Sequence, residues 1–342
     1  MLESLPSNVR STLLEYEIVK RYLNGMLGKE KFLEWLKEHA QELMSKGIPK
    51  GYINNLYRAD AENEFHRKAA YSKFARFCRK IGLDIATPED KIIWIKSSSP
   101  NQFLDIVSIG NSLLLGLFKF SRWRRDSKAD KSKVAFGLAG DFVEVDPPDD
   151  AHIHFKEFFH RMKRRITTAT KDRWAVKLYF AIVFAHMFPD GNGRTSRNAY
   201  FILRSNSGLP DEEKALKRSA IIQGASERAN ITSIIYLVRQ EGIRIPMDGN
   251  EAAKYRADEV NAEAYSGDTC ILKYLACKRV LQKRGQWNIE MKEIVYGKWD
   301  RAMRAEFEEE YQKIRVLWYW TAISLADKYY KYFQQELDKA IL

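Results

Sequence analysis

The chain contains few cysteines, prolines and glycines. Among its 342 residues only Cys78, Cys270 and Cys277 carry a thiol, and no Cys-x-x-Cys pair occurs. This odd, sparse set is not a disulfide framework or a zinc-binding spacing, and it favours a reducing compartment. The 18 glycines and 9 prolines leave long uninterrupted stretches, so helix is the expected dominant state. We therefore predict the all-α fold class.

Long apolar runs are missing as well. The longest, from Ile106 to Phe118, is interrupted by polar residues and is too short to span a bilayer. The segment from Met1 to Pro6 lacks the basic and apolar regions of a signal peptide. We expect a cytoplasmic protein that makes no membrane contact.

The formal net charge is +12. This excess suits a polyanionic partner such as a nucleotide, a nucleic acid or an acidic protein, and it serves solubility equally well. Between residues 67 and 80, basic residues interleave with aromatic ones, as in some nucleic-acid-binding faces. Because no helix-turn-helix pattern accompanies them, we favour a solvated helix face there and keep nucleic acid as an open partner.

Compositional breaks divide the chain into three predicted regions. Residues 1–95 have apolar residues at helical spacing and are predicted to form an N-terminal helical region. A stretch rich in Ser and ending in Pro opens a core of residues 96–240. A turn cluster then precedes long charged helices, so residues 241–342 are predicted to be a C-terminal helical extension. Its apolar patches at 270–275 and 316–320 suit partner binding, dimerisation or core cover alike.

One segment of the core has the pattern of a β-hairpin. Between Val134 and Asp146, two short apolar runs flank the sequence Gly-Leu-Ala-Gly-Asp, and two prolines follow. An isolated hairpin is marginally stable, so this one is expected to lie on the helical body. Its free edge is suited to pairing with an extended peptide, although a purely structural hairpin remains the alternative.

Further along, the core is predicted to contain a helix pair around a Gly-rich turn. The segment from Lys171 to Ala185 is mostly apolar and free of Pro and Gly, as in a buried helix. Pro189 ends it, Gly191 and Gly193 form a turn, and a second helix follows from Thr195 to Arg204. Two further helices are predicted at Glu213–Gln223 and Asn230–Gln240.

Four side chains around this turn belong to phosphate chemistry. A Gly-rich turn entering a helix presents free N–H groups and a positive dipole end, which favour an anion. Arg194 and Arg197 lie on one side of the helix start, with donor forks suited to phosphate oxygens. Asp190 offers a carboxylate to a hard cation such as Mg2+. His186 is the one side chain there that exchanges a proton near neutral pH. The combination points to phosphoryl or nucleotidyl transfer.

Residues 186–197 read His-Met-Phe-Pro-Asp-Gly-Asn-Gly-Arg-Thr-Ser-Arg. This stretch resembles the signature of the Fic (filamentation induced by cAMP) family, His-x-Phe-x-(Asp/Glu)-Gly-Asn-Gly-Arg-x-x-Arg, and it meets every fixed position. The resemblance implies a Fic-type helical bundle with a small β-hairpin flap, which residues 134–146 would form upstream of the motif. It also implies an enzyme, a protein adenylyltransferase that transfers AMP from ATP to a target protein.

The resemblance assigns roles in binding the co-substrate. The α- and β-phosphates of ATP are implied to lie over Gly191, Asn192 and Gly193. Arg194 and Arg197 are implied to neutralise the leaving pyrophosphate. In the family, the helices that follow the motif complete the base and ribose pocket, and no residue of this chain stands out for that role.

The resemblance also assigns a base and a metal ligand. His186 is implied to accept the proton of a Ser, Thr or Tyr hydroxyl on the target, which attacks the α-phosphorus. Asp190 is implied to hold Mg2+ between the phosphates. Phe188 is implied to point into the core and fix the loop. Met187 and Ser196 occupy variable positions where many members have Pro and Gly.

Many Fic proteins carry an inhibitory helix with the pattern Ser/Thr-x-x-x-Glu-Gly/Asn. Glu15 has the hydroxyl residue Ser11 four positions before it, but Tyr16 follows it in place of Gly or Asn. Glu62 has the right residue after it, yet Arg58 stands at the hydroxyl position. We therefore favour inhibition by a separate partner, or none, over inhibition by either glutamate.

The same motif permits other reactions. It suits removal of AMP, or transfer of UMP, GMP or phosphocholine, whereas Gly193 argues against the kinase-like branch in which Lys takes its place. An alternative from another class is a nucleotide-binding or nucleic-acid-associated regulator of a toxin system with weak catalysis. The intact His186 and Asp190 argue against it, because a pure binder needs no base.

Overall fold

The computed structural model describes residues 41, 68–109, 148–188, 191–206, 208–242, 271–287 and 299–339. Within these ranges the chain is mostly helical and contains no strand, which confirms the all-α prediction for this part of the chain. The predicted hairpin at 134–146 lies outside the described residues.

The described helices are named here in chain order. They are α1 (residues 68–80), α2 (Pro88–Ser97), α3 (Pro100–Val107), α4 (Pro148–Arg165), α5 (Lys171–Ala185), α6 (Asn192–Arg204), α7 (Glu212–Gln240), α8 (Ile271–Lys283) and α9 (Arg301–Lys339). A single 3-10 turn, Thr168–Thr170, precedes α5. No helix among the described residues combines the length and the apolar character needed to cross a bilayer.

The contacts divide these helices between two compact units. Of the described residues, one unit contains 68–109, 148–226 and 323–339, and the other contains 227–242, 271–287 and 299–322. The divisions expected after residues 95 and 240 follow composition and stay predictions.

Local capping explains where α2 and α3 begin. Thr87 Oγ1 accepts the N–H of Asp90 at 3.1 Å, and the Asp90 carboxylate accepts the N–H of Thr87 at 3.1 Å. Ser99 and Gln102 make the same reciprocal pair at the start of α3, and both helices have Pro at their first position. Ser98 and Ser99 therefore form the junction between two capped helices.

The core of the first unit is built around the pair α5 and α6. These two helices share the most extensive packing, α4 lies against α5, and both α2 and α3 contact α6. Aromatic rings join the layers, with Phe103 5.1 Å from Phe159 and Phe158 5.9 Å from Trp174 between ring centroids. The predicted buried helix at Lys171–Ala185 is confirmed with the same bounds.

Helix α7 corrects a prediction from the sequence. Two helices were expected, at Glu213–Gln223 and Asn230–Gln240, but the structure has one continuous helix. Gly224 follows the end of the first predicted helix, but a glycine inside a helix lowers helix stability by only about 1 kcal/mol relative to alanine. Buried Ile222, Ala225 and Ala229 straddle the predicted break, and their burial favours the continuous helix over a turn.

In the second unit, the apolar patches of the C-terminal region are partly buried, and Val316 and Leu317 are exposed. Leu272 and Leu275 on α8 and Trp318 and Tyr319 on α9 are buried. The indole N–H of Trp318 donates to Asn230 Oδ1 at 3.1 Å. The buried side chains belong to the core of this unit, and partner binding and dimerisation stay predictions for the region.

The buried side chain of Lys91 binds the residue that follows the last turn of α6. Lys91 is 0% exposed, and its Nζ donates to the backbone O of Ser205 at 2.9 Å and to its Oγ at 2.7 Å. Ser205 is the C-cap of α6, where a cation meets the negative end of the helix dipole. Burial, and to a lesser extent the charge of Lys171, lowers the Lys91 pKa from 10.5 to about 8.

This pKa predicts a specific pH dependence of stability. Between pH 8 and 10.5 the unfolded chain keeps the Lys91 proton while the folded chain releases it, so rising pH stabilises the folded state. Lys91→Met removes this pH-dependent contribution to the free energy of unfolding. Relative to the variant, the wild type should gain about 3 kcal/mol of unfolding free energy across that window in urea titrations. Lys96→Met, at an exposed lysine of the same helix, should show no such gain; a flat difference for Lys91→Met contradicts the assignment.

Candidate active site

The α5–α6 hairpin brings the motif residues to one end of the core. Helix α5 ends at Ala185 with His186 as its C-cap, and α6 begins at Asn192 after Gly191. The second helix starts three residues earlier than Thr195, the position expected from the sequence, so Asn192 and Gly193 belong to its first turn.

His186 has a strained backbone. Its φ of 49° and ψ of 50° lie in the left-handed region, and it is the one non-glycine residue with positive φ in the described ranges. That conformation costs a residue with a side chain roughly 1–2 kcal/mol, which a glycine at this helix C-cap would avoid. The imidazole is half-buried, whereas Met187 and Phe188 after it are 0% exposed. Backbone strain of this kind motivates the hypothesis that the side chain at this position has a function.

Asn192 clamps the loop between the helices. Its Oδ1 accepts the N–H of Phe188 at 2.8 Å, and its Nδ2 donates to the carbonyl of Phe188 at 2.7 Å. Both residues are buried, so these bonds are shielded from water. Phe188 is in the core, as expected, and the clamp gives Asn192 a structural role that the sequence did not reveal.

Gly191 sets the entry into α6. Its φ of 77° is left-handed, and its carbonyl accepts the N–H of Thr195 at 2.8 Å. Because a glycine N-cap has no side chain, it cannot cap the first amides of the helix. An uncapped N-terminus of this kind favours an anion.

Arg194 and Arg197 are largely buried beside this helix start, at 9% and 8% exposure. Both line a pocket with Tyr71 of α1, and the pocket volume of about 10 Å³ admits a single water. The Tyr71 ring packs edge-on to Phe201 at 5.4 Å, and its hydroxyl donates to the Pro210 carbonyl. A phosphate group enters this pocket only if the side chains around Tyr71 move.

Asp190, the predicted metal ligand, lies outside the described residues. Within the described ranges no group of three or more His, Cys, Asp or Glu side chains is placed to hold a metal ion. Mg2+ does not require such a group, because it is usually bound by one or two carboxylates together with substrate phosphates.

Comparisons with protein-family models, curated proteins and solved structures find no match to this chain. The functional interpretation therefore rests on the residues of the α5–α6 hairpin and their geometry.

Sequence reasoning missed three residues that support the hairpin. Asn198 Nδ2 donates to the carbonyl of Val107 at 2.9 Å and so ties α6 to the end of α3. Lys91 and Lys171 bind carbonyls at the far end of α6. Lys171 alone carried a signal, since a lysine at the first position of an apolar helix opposes the helix dipole.

Gly193→Ala separates anion binding from folding. A Cβ at this helical position would lie 3.4 Å from Arg197 Nη1, a tolerable contact that reduces the room beside the guanidinium. Alanine is also the better helix former by roughly 1 kcal/mol, so the melting temperature should not fall. Pyrophosphate affinity, measured by calorimetry, should fall about tenfold. Adenosine, which lacks phosphates, serves as the control; unchanged pyrophosphate affinity contradicts the anion site.

Asn192→Ala tests the loop clamp. The change leaves the buried N–H and C=O of Phe188 without their partner, which should lower the free energy of unfolding by about 2–4 kcal/mol. Asn206→Ala, at an exposed asparagine of the same unit, is the matched control and should change stability by less than about 0.5 kcal/mol. Equal effects of the two substitutions in urea denaturation would refute the clamp.

Proposed function

We propose that this chain is a Fic-type protein nucleotidyltransferase that transfers AMP from ATP to a Ser, Thr or Tyr hydroxyl of a target protein. The observation that carries the proposal is the strained backbone of His186 at the C-cap of α5, joined by a short loop to a start of α6 that has no side-chain cap and carries Arg194 and Arg197. A partly accessible base next to an anion cradle is what attack of a hydroxyl on a phosphate requires.

In this proposal the start of α6 binds the phosphates. The amides of the first turn and the guanidinium groups of Arg194 and Arg197 stabilise the charge of the triphosphate and of the leaving pyrophosphate. Their burial strengthens each interaction, because little water competes. Asp190 would hold Mg2+, which would supply further positive charge next to the phosphates.

His186 acts as the general base. Its imidazole takes the hydroxyl proton while the hydroxyl oxygen forms a bond to the α-phosphorus. The bond from that phosphorus to the bridging oxygen breaks, and pyrophosphate leaves with the electron pair. Histidine suits this step because its ordinary pKa lies near neutral pH.

The small volume of the arginine pocket bears on control of the reaction. Because the pocket beside Arg194 and Arg197 has room for about one water, we infer that the side chains lining it rearrange when a nucleotide binds there. A separate inhibitory partner remains part of the hypothesis. The weaker intramolecular alternatives, Glu15 and Glu62, lie outside the described residues.

The nucleic-acid alternative gains no support from α1. Its exposed Arg76 and Arg79 line a cleft of about 530 Å³, but Asp84, Asp211 and Glu212 line the same cleft. A surface of mixed sign does not favour a polyanion. Removal of AMP, and transfer of UMP, GMP or phosphocholine, would use the same base and arginines.

The proposal predicts ATP-dependent labelling that requires His186. With α-labelled ATP and Mg2+, the wild type should label itself or a protein target, and His186→Ala should lower the rate by a factor of about 10² to 10⁴. His160→Ala, at an exposed histidine of α4, should leave the rate unchanged.

Label retained at the wild-type rate by His186→Ala would overturn the assignment. Labelled GTP, UTP and CDP-choline, run in parallel, identify the donor. Release of AMP from a modified protein identifies the reverse reaction.

A further inference from the structure

The open end of the α5–α6 hairpin is closed by a buried ammonium group. Lys171 is 3% exposed, and its Nζ donates to the carbonyls of Leu203 at 2.9 Å and Arg204 at 3.1 Å. The same nitrogen lies 2.9 Å from Asp172 Oδ1, and Asp172 also pairs with the side chain of Arg204. The first turn of α5 is thus bound to the last turn of α6.

Lys91 adds a second ammonium group at the same place. It binds Ser205, the residue directly after the two carbonyls held by Lys171. Three consecutive C-terminal residues of α6 therefore receive lysine hydrogen bonds, from α5 and from α2. Carbonyls at a helix C-terminus have no partner within the helix and attract cations.

Burial of the Lys171 ammonium group at this end of the hairpin costs free energy. Lys171 begins α5, where its charge opposes the dipole of its own helix. Burial, followed by the charge of Arg204, lowers the Lys171 pKa to about 8, so the folded chain disfavours the charged form. An apolar residue at this position would avoid the cost of burying an ammonium group, but it would leave the carbonyls of Leu203 and Arg204 without these donors.

The hairpin is fastened at both of its ends. At the loop, the clamp between Asn192 and Phe188 joins the end of α5 to the start of α6. At the open end, Lys171 joins the start of α5 to the end of α6. Two fastenings on one pair of antiparallel helices define how far the helices can slide along each other.

We propose that Lys171, supported by Lys91, is a positioning residue that sets the axial register of α5 against α6, and thereby the place of His186 relative to Arg194 and Arg197. The proposal rests on the proposed nucleotidyl transfer for its effect on rate. It goes beyond it by assigning a role to groups at the opposite end of the hairpin from the phosphates.

A change in the axial register of α5 against α6 affects nucleotide binding and the rate of the chemical step differently. Gly193, Arg194 and Arg197 all belong to α6 and move together, so a small slide leaves the phosphate cradle intact. His186 belongs to the end of α5 and changes its distance to the cradle. A misplacement of about 1 Å can cost up to about 100-fold in rate. Loss of the hydrogen bonds from Lys171 to the end of α6 should therefore lower kcat and leave nucleotide affinity unchanged.

The test compares Lys171→Met with Lys171→Arg in the full chain. We expect Lys171→Met to lower kcat for AMP transfer by about 10- to 100-fold, with the Kd of a non-hydrolysable ATP analogue within about twofold of wild type. Lys171→Arg keeps donors for the carbonyls and should restore most of the rate. Lys177→Met is the matched control, because Lys177 lies on α5 but pairs with Asp327 at 2.7 Å, and its rate should be unchanged.

An unchanged kcat in Lys171→Met overturns the proposal, and so does a parallel loss of kcat and nucleotide affinity, since that marks a general structural defect. If Lys171→Met does not fold, Lys171→Gln, which keeps a donor, and Lys91→Met are judged by the same two measurements. If the wild type transfers no nucleotide, the proposed function has failed. The register is then decided by crystal structures of wild type and variant, where an unchanged separation of His186 and Gly193 refutes it.

Discussion

The packing of α5 along α6, closed at the loop by one asparagine side chain, is the interaction on which the site depends. Asn192 satisfies both backbone groups of Phe188, so the loop can turn back within a buried environment without leaving polar atoms unpaired. Without the clamp, the buried N–H and C=O of Phe188 would lose these partners, and the loop between α5 and α6 would be held less firmly. The proposed base and the proposed anion cradle belong to different helices, and the packing of α5 along α6 together with this short loop brings the two helix ends close.

The same hairpin concentrates features that are costly for folding. It has a left-handed histidine, two arginines with little exposure and the buried Lys171. Reciprocal caps at the starts of α2 and α3 follow local preference, and buried charged side chains occur in the second unit too, at Lys278, Glu310 and Arg315. Departures from local preference are expected at functional or strained sites. On α5, α6 and the turn between them, His186, Arg194, Arg197 and Lys171 are departures of this kind.

Charge is used differently in the second unit. Glu310 is 4% exposed and pairs with Lys283 at 2.6 Å, while Glu241 pairs with Arg279 at 2.7 Å. These pairs tie α8 to α9 and to the end of α7, around an apolar core. They are structural, so part of the large basic content of the chain neutralises acidic residues within its own fold. These pairs leave the net charge of +12 unchanged, because each contains one charge of each sign.

The sequence by itself determined what local chemistry controls. The helix Lys171–Ala185, its end before the Gly-rich turn and the identity of the motif residues all follow from apolar runs and from Gly and Pro, which act over a few residues. Only the tertiary structure decided that α7 is one continuous helix and that Tyr71 lines the pocket beside Arg194 and Arg197. It also decided that Lys91 and Lys171 bind the C-terminal end of α6. Lys91 and Ser205 are 114 residues apart, and no local pattern encodes such a pair. Those contacts exist because burial of the helix faces brings distant segments together, and that burial is a property of the whole fold.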